Sequence, residues 1–272
     1  MRSHKVRGAV SVGFTPKERY DAQDLIRIVA QLRAPQGCPW DREQTHASIR
    51  MNFIEETYEA VDAIDQNDAH LLCEELGDVL LQVALHSQME AEKGTFSFDD
   101  VCDGICKKLI FRHPHVFGEV SVSGTGEVLS NWEELKRKEK GQATNTDALE
   151  AVARSLPALW RAEKVQKKAK KAGFDWPDVS GALDKLSEEL EELKIAVAEG
   201  TNVEEELGDL LFSAVNVSRF VKVDTEEALN GATDKFIGRF RKVEEEAARQ
   251  GRALEGMSLA ELDKLWEHAK ET

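Results

Sequence analysis

The chain contains 272 residues, of which 41% are hydrophobic and 32% are charged, and its formal net charge is −15 at pH 7. This length supports one or two domains, and the composition is typical of a globular protein rich in helix. The strong negative charge argues against bulk attraction to nucleic acid or to an anionic membrane, so we expect neither as a partner. An acidic protein can still bind a polyphosphate when metal ions carry the countercharge.

The N-terminal segment is basic but lacks the apolar run of a secretion signal, and we interpret residues 1–18 as a flexible tail. No stretch of the sequence approaches the roughly 20 apolar residues that a membrane span needs. The four cysteines are scattered and match no zinc-binding or disulfide pattern. They indicate a reducing compartment, and we expect a cytoplasmic protein.

Residues 19–140 are predicted to form an N-terminal helical domain. A stripe of apolar residues at three-to-four spacing predicts a helix with one buried face. The stripe consists of Ile54, Tyr58, Val61 and Ile64. Glu56 and Glu59 lie three residues apart on this helix, and the next predicted helix carries Glu75 and Asp78 at the same spacing. Because residues three apart share a helix face, each helix presents a pair of carboxylates.

Residues 141–150 are predicted to be a linker, and residues 151–272 a C-terminal helical domain. This domain repeats the acidic pattern, with Glu189 and Glu192 on one predicted helix and Glu206 and Asp209 on the next. Helical spacing of apolar residues recurs at Leu183, Leu186, Leu190, Leu193 and Val197. Flanking residues also repeat in the same order, and no run alternates as a strand does. The expected fold class is therefore all-α, with two tandem related helical-bundle units.

The repeated acids have two interpretations. A single run of this kind is ordinarily a solvated, charged helix face. Here the acids lie among apolar residues and occur twice, and Gly77 and Gly208 interrupt otherwise good helices, where each glycine costs about 1 kcal/mol. Such a glycine permits close approach by another helix or a ligand. We therefore favour a cage of carboxylates for a hard cation, which indicates Mg²⁺, with Mn²⁺ as an alternative.

Basic residues near the C-terminus complement the acids. Lys235 and Arg239 lie four apart on one predicted helix face, with Asn230 slightly earlier in the chain. This face can bind phosphate oxygens through charge-assisted hydrogen bonds, or it can pair with acids at the surface. Trp176 and Trp266 can each stack on a nucleobase or simply pack against neighbouring side chains.

The sequence resembles the MazG family of nucleoside triphosphate pyrophosphohydrolases, within the all-α NTP pyrophosphatase superfamily. The motifs that carry the resemblance are GCPWD at 37–41, EETYE at 55–59, ELGD at 75–78 and 206–209, RHPHVF at 112–117, RSLPAL at 154–159 and GFDW at 173–176. Together these motifs extend the resemblance over roughly residues 20–270. The whole ordered series is far more specific than the acidic motif alone.

The resemblance implies a set of functional properties. Mg²⁺ would be bound by Glu189, Glu192, Glu206 and Asp209, and in the first half by Glu56, Glu59, Glu75 and Asp78. Members of the family cleave nucleoside triphosphates between the α and β phosphates and assemble as homodimers or higher oligomers. The nucleotide would be contacted by Lys136, Lys185, Lys235, Arg239 and Trp266.

The two halves differ in charge, and this difference favours the C-terminal site as the main catalytic one. The first half has Asp103 where the second has Asn230, which places a negative charge where phosphate is expected. In the expected hydrolysis, Lys235 and Arg239 stabilise charge on the phosphates, and either Glu188 or a metal-binding carboxylate accepts the proton of water. The alternatives are a narrower hydrolase for damaged or deoxy nucleotides and a non-catalytic module that binds metal or nucleotide.

Overall fold

The computed structural model describes residues 15–139, 141 and 143–271, and among them all regular structure is helical, with no strand. The all-α prediction is confirmed. The predicted tail of residues 1–18 lies mostly outside the described residues. Among the residues that are described, none of the helices combines the length and apolar composition needed to cross a bilayer.

The chain divides into two compact units, Met1–Trp132 and Glu133–Thr272. Within the described residues, the first unit contains six helices and the beginning of a seventh. They are α1 (Ala22–Arg33), α2 (Pro39–Glu43), α3 (Arg50–Asp65), α4 (Ala69–Lys93), α5 (Phe98–Arg112), α6 (Pro114–Phe117) and α7 (Thr125–Glu139). Helix α4 is the centre of this unit, because α1, α3 and α5 all pack against it. Val29, Ile49, Ala84, Leu85 and Met89 form its buried core.

The second unit begins within α7, and the part of it that the structure describes continues through six further α-helices. They are α8 (Asn145–Glu150), α9 (Ala158–Lys171), α10 (Val179–Glu199), α11 (Val203–Val221), α12 (Thr225–Arg249) and α13 (Leu259–Glu271), with a short 3₁₀ helix at Leu254–Gly256 before α13. Helix α10 packs against α11, α11 packs against α9, and α12 packs against both α13 and α9. The segment predicted to be a linker, residues 141–150, contains α8, whose N-cap Thr144 forms a capping box with Asp147.

The turns that join the acidic helices are set by capping residues. Helix α10 ends at Gly200, whose φ of 71° is in the left-handed region that glycine adopts without strain. Helix α11 begins after Asn202, so few residues separate the two helices and they form a hairpin. In the first unit, Asp68 caps the N-terminus of α4 just after α3 ends, which produces a corresponding hairpin.

The prediction that the apolar stripe of the first half is buried is wrong for the single chain. Its four side chains are 38–58% exposed, and they are Ile54, Tyr58, Val61 and Ile64. Helix α3 instead buries the small residues Ala60 and Ala63. In the second half Leu183, Leu190 and Val197 are likewise exposed, whereas Ala182 and Ala196 are buried. Both hairpins therefore pack through small residues and leave larger apolar side chains at the surface.

Candidate functional site

Three carboxylates converge on the α10–α11 hairpin. Glu189, Glu192 and Glu206 each place a carboxylate oxygen within 4.8 Å of the others, and we refer to them as the C-terminal acidic cluster. Glu189 and Glu192 lie on adjacent turns of α10, and Glu206 lies in the first turn of α11. The N-terminus of α11 favours acidic side chains because its backbone N–H groups carry partial positive charge.

Glu189 is the most constrained member of this cluster. It is only 5% exposed, and its Oε2 atom is buried without a hydrogen-bond partner. Its Oε1 atom accepts from Lys185 Nζ at 2.7 Å, and Lys185 also donates to Glu188 Oε1 at 2.8 Å. Hydrogen bonds to Glu188 and Glu189 raise the pKa of Lys185, so this side chain stays protonated and partly neutralises the acids. A buried carboxylate oxygen without a partner is costly, which indicates that the cluster suits an additional cation.

A second cluster lies on the α3–α4 hairpin. Glu56, Glu75 and Asp78 also place carboxylate oxygens within 4.8 Å of one another, and we refer to them as the N-terminal acidic cluster. Burial raises the pKa of Glu56, and the nearby charge of Asp78 adds to this effect. Burial also raises the pKa of Glu75, with a further contribution from Glu59. The position that corresponds to Lys185 is Asn52, so this cluster lacks the equivalent lysine.

Each hairpin brings together three of its four predicted ligands. In the first half the fourth acid is Glu59, and in the second it is Asp209, which is exposed. These two acids do not occupy corresponding positions, since Glu59 corresponds to Glu192 and Asp78 to Asp209. Glu59 nevertheless lies near its cluster, since its charge contributes to the raised pKa of both Glu56 and Glu75.

The donor atoms of both clusters are suited to a hard divalent cation. All are carboxylate oxygens, and Mg²⁺ and Mn²⁺ prefer such ligands to the nitrogen and sulfur donors that favour Zn²⁺. Burial raises the pKa of Glu192, and the charge of Glu189 contributes to the shift. A bound cation would relieve this repulsion and would give Glu189 Oε2 the partner it lacks.

The predicted basic residues Lys235 and Arg239 line a cavity of about 500 Å³ between α12 and α13. The same cavity is lined by Arg241 and Lys242 from α12 and by Lys270 from α13, with Glu245 as its acidic member. We refer to it as the basic cavity. Five cationic side chains at one concave surface can hold several phosphate oxygens through charge-assisted hydrogen bonds.

The sequence singled out only two of these five cations as site residues. Arg241 and Lys242 directly follow Arg239 in the chain, but two more basic residues on a helix ordinarily face solvent. Lys270 corresponds in the repeat to Lys136, and it lies four residues after Trp266. This repeat relationship was the signal that could have identified Lys270.

The other predicted contact residues lie outside both the acidic clusters and the basic cavity. Asn230 is exposed near the start of α12, and Glu188 is exposed beside the C-terminal acidic cluster. Trp266 packs against Phe236 with ring centroids 5.0 Å apart. Trp266 is partly buried, so part of this residue remains at the surface. Lys136 is partly buried near the C-terminal end of α7.

The first half uses its corresponding basic and aromatic residues differently. The Arg112 guanidinium lies 5.7 Å from the centre of the Trp132 ring, in a cation–π contact. Asp103 accepts from Lys107 Nζ at 2.5 Å, which raises the pKa of that lysine. Arg112, which corresponds to Arg239, is therefore already engaged with a neighbour in the first half. Lys107 corresponds to Asp234 rather than to a basic residue, and Lys270 of the basic cavity likewise pairs with an acid, Glu267, at 2.5 Å.

Two glycines of the acidic helices, Gly77 and Gly208, do not pack against another part of the described chain. A Cβ atom added at Gly77 or at Gly208 would meet nothing within 4 Å. The expected close approach by another helix is thus not found within the described chain. The open space beside each acidic hairpin remains accessible to a ligand or to a second copy.

A family model and the curated relatives that match this chain all point to the same family of proteins. The family model of the "MazG nucleotide pyrophosphohydrolase domain" matches residues 44–117 and 179–244, which contain the two acidic hairpins. A Thermotoga maritima protein named nucleoside triphosphate pyrophosphohydrolase/pyrophosphatase MazG is 46% identical over 248 residues, covering 91% of this chain and 95% of that protein. The Escherichia coli K12 nucleoside triphosphate pyrophosphohydrolase is 44% identical over 251 residues, covering 90% of this chain and 95% of its own.

Proposed function

The chain belongs to the MazG nucleotide pyrophosphohydrolase family, and from this premise we propose that it is a Mg²⁺-dependent enzyme that cleaves nucleoside triphosphates between the α and β phosphates. The products would be a nucleoside monophosphate and pyrophosphate. The observation that carries the proposal is the C-terminal acidic cluster, whose buried Glu189 Oε2 has no hydrogen-bond partner.

The residues that would hold the metal are Glu189, Glu192 and Glu206, with Asp209 one turn further along α11. When bound, Mg²⁺ would supply the positive charge that carboxylates and substrate phosphates share. Mn²⁺ has the same preference for oxygen ligands and is the alternative occupant. Lys185 supports the arrangement, because its ammonium group holds Glu189 in place and offsets part of its charge.

The basic cavity would take up charge on the triphosphate. Lys235 and Arg239, which the sequence analysis already assigned to phosphate binding, line this cavity. Arg241, Lys242 and Lys270 extend the same surface. Cations placed where negative charge develops stabilise the transition state more than the ground state. Trp266 and Lys136 are proposed to contact the nucleotide, as the family resemblance implies, and Asn230 is proposed to do so because it precedes Lys235 and Arg239 on α12.

Glu188 is our candidate for the general base. Its side chain is 58% exposed and therefore meets water, while Lys185 holds its Oε1 atom at 2.8 Å. This carboxylate lies beside the acidic cluster without belonging to it, so it can accept a proton while the others hold the metal. Replacement by glutamine would keep the hydrogen bond from Lys185 but remove the basicity.

The experiment that tests the reaction is hydrolysis of a panel of ribo-, deoxyribo- and oxidised nucleoside triphosphates in ¹⁸O-labelled water. Attack at the α-phosphorus places the label in the monophosphate, whereas attack at the β-phosphorus places it in pyrophosphate. We expect label in the monophosphate and turnover only with Mg²⁺ or Mn²⁺. Label in pyrophosphate would refute the proposed site of attack, and turnover confined to the oxidised or deoxy substrates would favour the narrower hydrolase.

The same assay separates the two halves. We propose that the C-terminal site is the main catalytic one, since the first half lacks an equivalent of Lys185 and engages Arg112 with Trp132. Glu206→Gln should therefore abolish turnover, whereas Glu75→Gln should leave most of it. The reverse result would assign catalysis to the N-terminal acidic cluster.

We also propose that the chain works as a homodimer or higher homo-oligomer. The support is the pair of exposed apolar stripes on the acidic hairpins, which one chain leaves uncovered. The open space beside Gly77 and Gly208 lies on the same hairpins.

A further inference from the structure

Three ionisable side chains of the N-terminal unit meet at a place that belongs to neither acidic cluster. His46 lies in the connection between α2 and α3, at residues 44–49, and His86 and Glu90 lie one turn apart on α4. The Nδ1 atoms of His46 and His86 are 2.7 Å apart, and His46 Nε2 is 2.7 Å from Glu90 Oε1. We refer to these three side chains as the histidine cluster.

The two imidazole rings meet at their edges. Their planes differ by 6° and their centroids are 4.9 Å apart. Atoms of rings packed face to face stay about 3.5–4 Å apart, so the shorter separation of the two Nδ1 atoms is a hydrogen bond in the plane of the rings. Such a bond holds one proton between the two nitrogens, because one Nδ1 must donate and the other must accept.

This bond limits the number of protons that the pair can carry. When both rings are neutral, His46 donates from Nε2 to Glu90 and accepts at Nδ1 from His86. A first added proton still leaves a single Nδ1–H between the rings, so the bond survives. A second added proton makes both rings cationic and leaves two N–H groups pointing at each other across 2.7 Å. The doubly protonated pair therefore cannot keep this contact.

The surroundings disfavour the second proton. Burial lowers the pKa of His86, and the charge of His46 adds to this effect. A histidine with a lowered pKa stabilises the folded arrangement above its ordinary pKa of about 6.5, and this contribution is lost as the pH falls below that value. Glu90 stays ionised over the same range, because hydrogen bonds from Lys93 and from His46 lower its pKa to about 2.

Charged groups of the neighbouring helices are paired elsewhere or exposed. Arg33 of α1 pairs with Glu92 of α4 at 2.9 Å, and Arg42 of α2 donates to a backbone carbonyl of the preceding turn. Asp100 of α5 accepts hydrogen bonds from the residue that caps its own helix. From α3 an uncharged ring approaches His86, at a centroid distance of 5.8 Å. The charged side chains that flank the connection are exposed, and they are Glu43 and Arg50.

The connection is anchored at both ends independently of the histidines. At its start the Gln44 carbonyl accepts from Arg33 at 3.2 Å, and at its end Ile49 is 2% exposed in the core formed with α4. The residues on either side of His46 are exposed. His46 thus ties the middle of the connection to α4, directly before the helix that begins the first acidic hairpin.

From this geometry we propose that the histidine cluster is a pH-sensitive latch. It holds the connection between α2 and α3 against α4 while the two rings share a single Nδ1 proton, and it releases that connection when both rings are fully protonated. The latch is independent of the reaction proposed above, because its three side chains belong neither to the acidic clusters nor to the basic cavity.

Hydrogen–deuterium exchange of the full chain, without metal or nucleotide, tests this proposal. The readout is the protection of the backbone amides at residues 45–50, where the Ser48 and Ile49 amides donate to the Thr45 carbonyl. Protection is expressed relative to the intrinsic exchange rate at each pH from about 8 to about 5, which brackets the ordinary histidine pKa. We expect it to fall by about tenfold over this range, the change that corresponds to a shift of one pKa unit. Constant protection in the wild-type chain would overturn the proposal.

Two glutamine variants assign the fall in protection to the latch. Glutamine can form hydrogen bonds but takes up no proton in this range, so His46→Gln and His86→Gln should each remove the pH dependence. The matched control is His113→Gln, because His113 and His115 also have ring centroids only 5.6 Å apart, but His113 Nδ1 donates to the Leu109 carbonyl at 2.6 Å. This control should keep the wild-type fall. An undiminished fall in either latch variant, with its fold verified by circular dichroism, would contradict the proposal.

Discussion

Glu189 is the residue on which the metal site depends most strongly. It is buried, it is bonded on one oxygen to Lys185, and its other oxygen has no partner. Glu191, two positions later, is exposed and pairs with Lys194 at 2.7 Å on the outer side of the same helix. The two glutamates therefore have the same side chain and lie on the same helix, but they differ in their surroundings.

This contrast gives a matched pair of variants. We expect Glu189→Gln to reduce kcat/KM by at least about 100-fold, because it removes a charged metal ligand and the negative charge that pairs with Lys185. Glu191→Gln should retain wild-type turnover. Steady-state kinetics at saturating Mg²⁺, with circular dichroism to verify folding, provide the measurement. A Glu189→Gln variant as active as the Glu191→Gln control would remove Glu189 from the site.

The raised pKa of Glu192 leads to a prediction about pH. Burial, with the charge of Glu189, raises this pKa, so the ionised form is disfavoured in the metal-free folded state. The contribution of Glu192 to the stability of the metal-free protein should therefore increase as the pH falls through its pKa in the folded state, whereas Mg²⁺ competes with this proton and stabilises the ionised cluster.

We accordingly expect Mg²⁺ to raise Tm more at about pH 8 than at about pH 5. Differential scanning calorimetry at the two pH values measures this. Glu189→Gln serves as the control and should reduce the Mg²⁺ effect at the higher pH. A Mg²⁺-dependent increase in Tm that is equal at both pH values would show that carboxylate ionisation does not govern metal binding.

At the scale of helices, the acidic hairpins contain two glycines with opposite surroundings. Gly208 in α11 has open space where a Cβ would lie. Gly181 in α10 faces the Trp176 ring, and a Cβ there would lie 2.3 Å from Trp176 Cδ1. Trp176 belongs to the GFDW motif, so Gly181 explains how that indole can pack against the beginning of α10.

Alanine at these two positions should therefore have opposite effects on stability. Gly208→Ala should increase the free energy of unfolding by up to about 1 kcal/mol, since alanine is the better helix former and nothing obstructs its methyl group. Gly181→Ala should decrease it by about 1–3 kcal/mol, because Trp176 must move. Urea unfolding followed by circular dichroism measures both. A destabilised Gly208→Ala variant would mean that another group occupies the apparently open space.

The helices themselves could be predicted from the sequence, because apolar spacing and capping residues are local properties. The two hairpins could also be predicted, because only a few residues separate the two acidic helices in each half of the chain. Which three acids meet most closely could not be predicted, because this depends on how the two helices of each hairpin pack, and that packing is not a local property of the sequence. The basic cavity was only half predicted for a similar reason, because Lys270 reaches Lys235 and Arg239 from a different helix.

At the scale of the whole molecule, the exposed apolar stripes are the feature that the sequence misrepresents most. Their spacing indicates a buried face, and in one chain that face is uncovered. A sequence pattern shows that a helix face is apolar. It does not show whether that face packs against another part of the same chain or against a second copy of the chain. The repeat of the acidic hairpin was visible in the sequence, because duplication preserves the order of residues as well as their type.

Charges introduced into both apolar stripes test the proposed oligomer. Ile64 is 58% exposed and Val197 62% exposed, and we expect Ile64→Glu combined with Val197→Glu to yield a species of one 30.4 kDa chain. The wild-type protein should sediment as two or more chains. Leu259→Glu is the control, since Leu259 is 80% exposed at the start of α13 and belongs to neither stripe. Analytical ultracentrifugation that finds the wild type to be a monomer would contradict the proposed assembly.

The most direct test of the account is the position of a bound metal. Crystals grown with Mn²⁺ and an α,β-imido nucleoside triphosphate, which resists cleavage at the proposed bond, locate the metal by anomalous diffraction. We expect an anomalous peak within bonding distance of carboxylate oxygens of Glu189, Glu192 and Glu206 and of at least one phosphate oxygen. A triphosphate bound with no metal at those three side chains would contradict it.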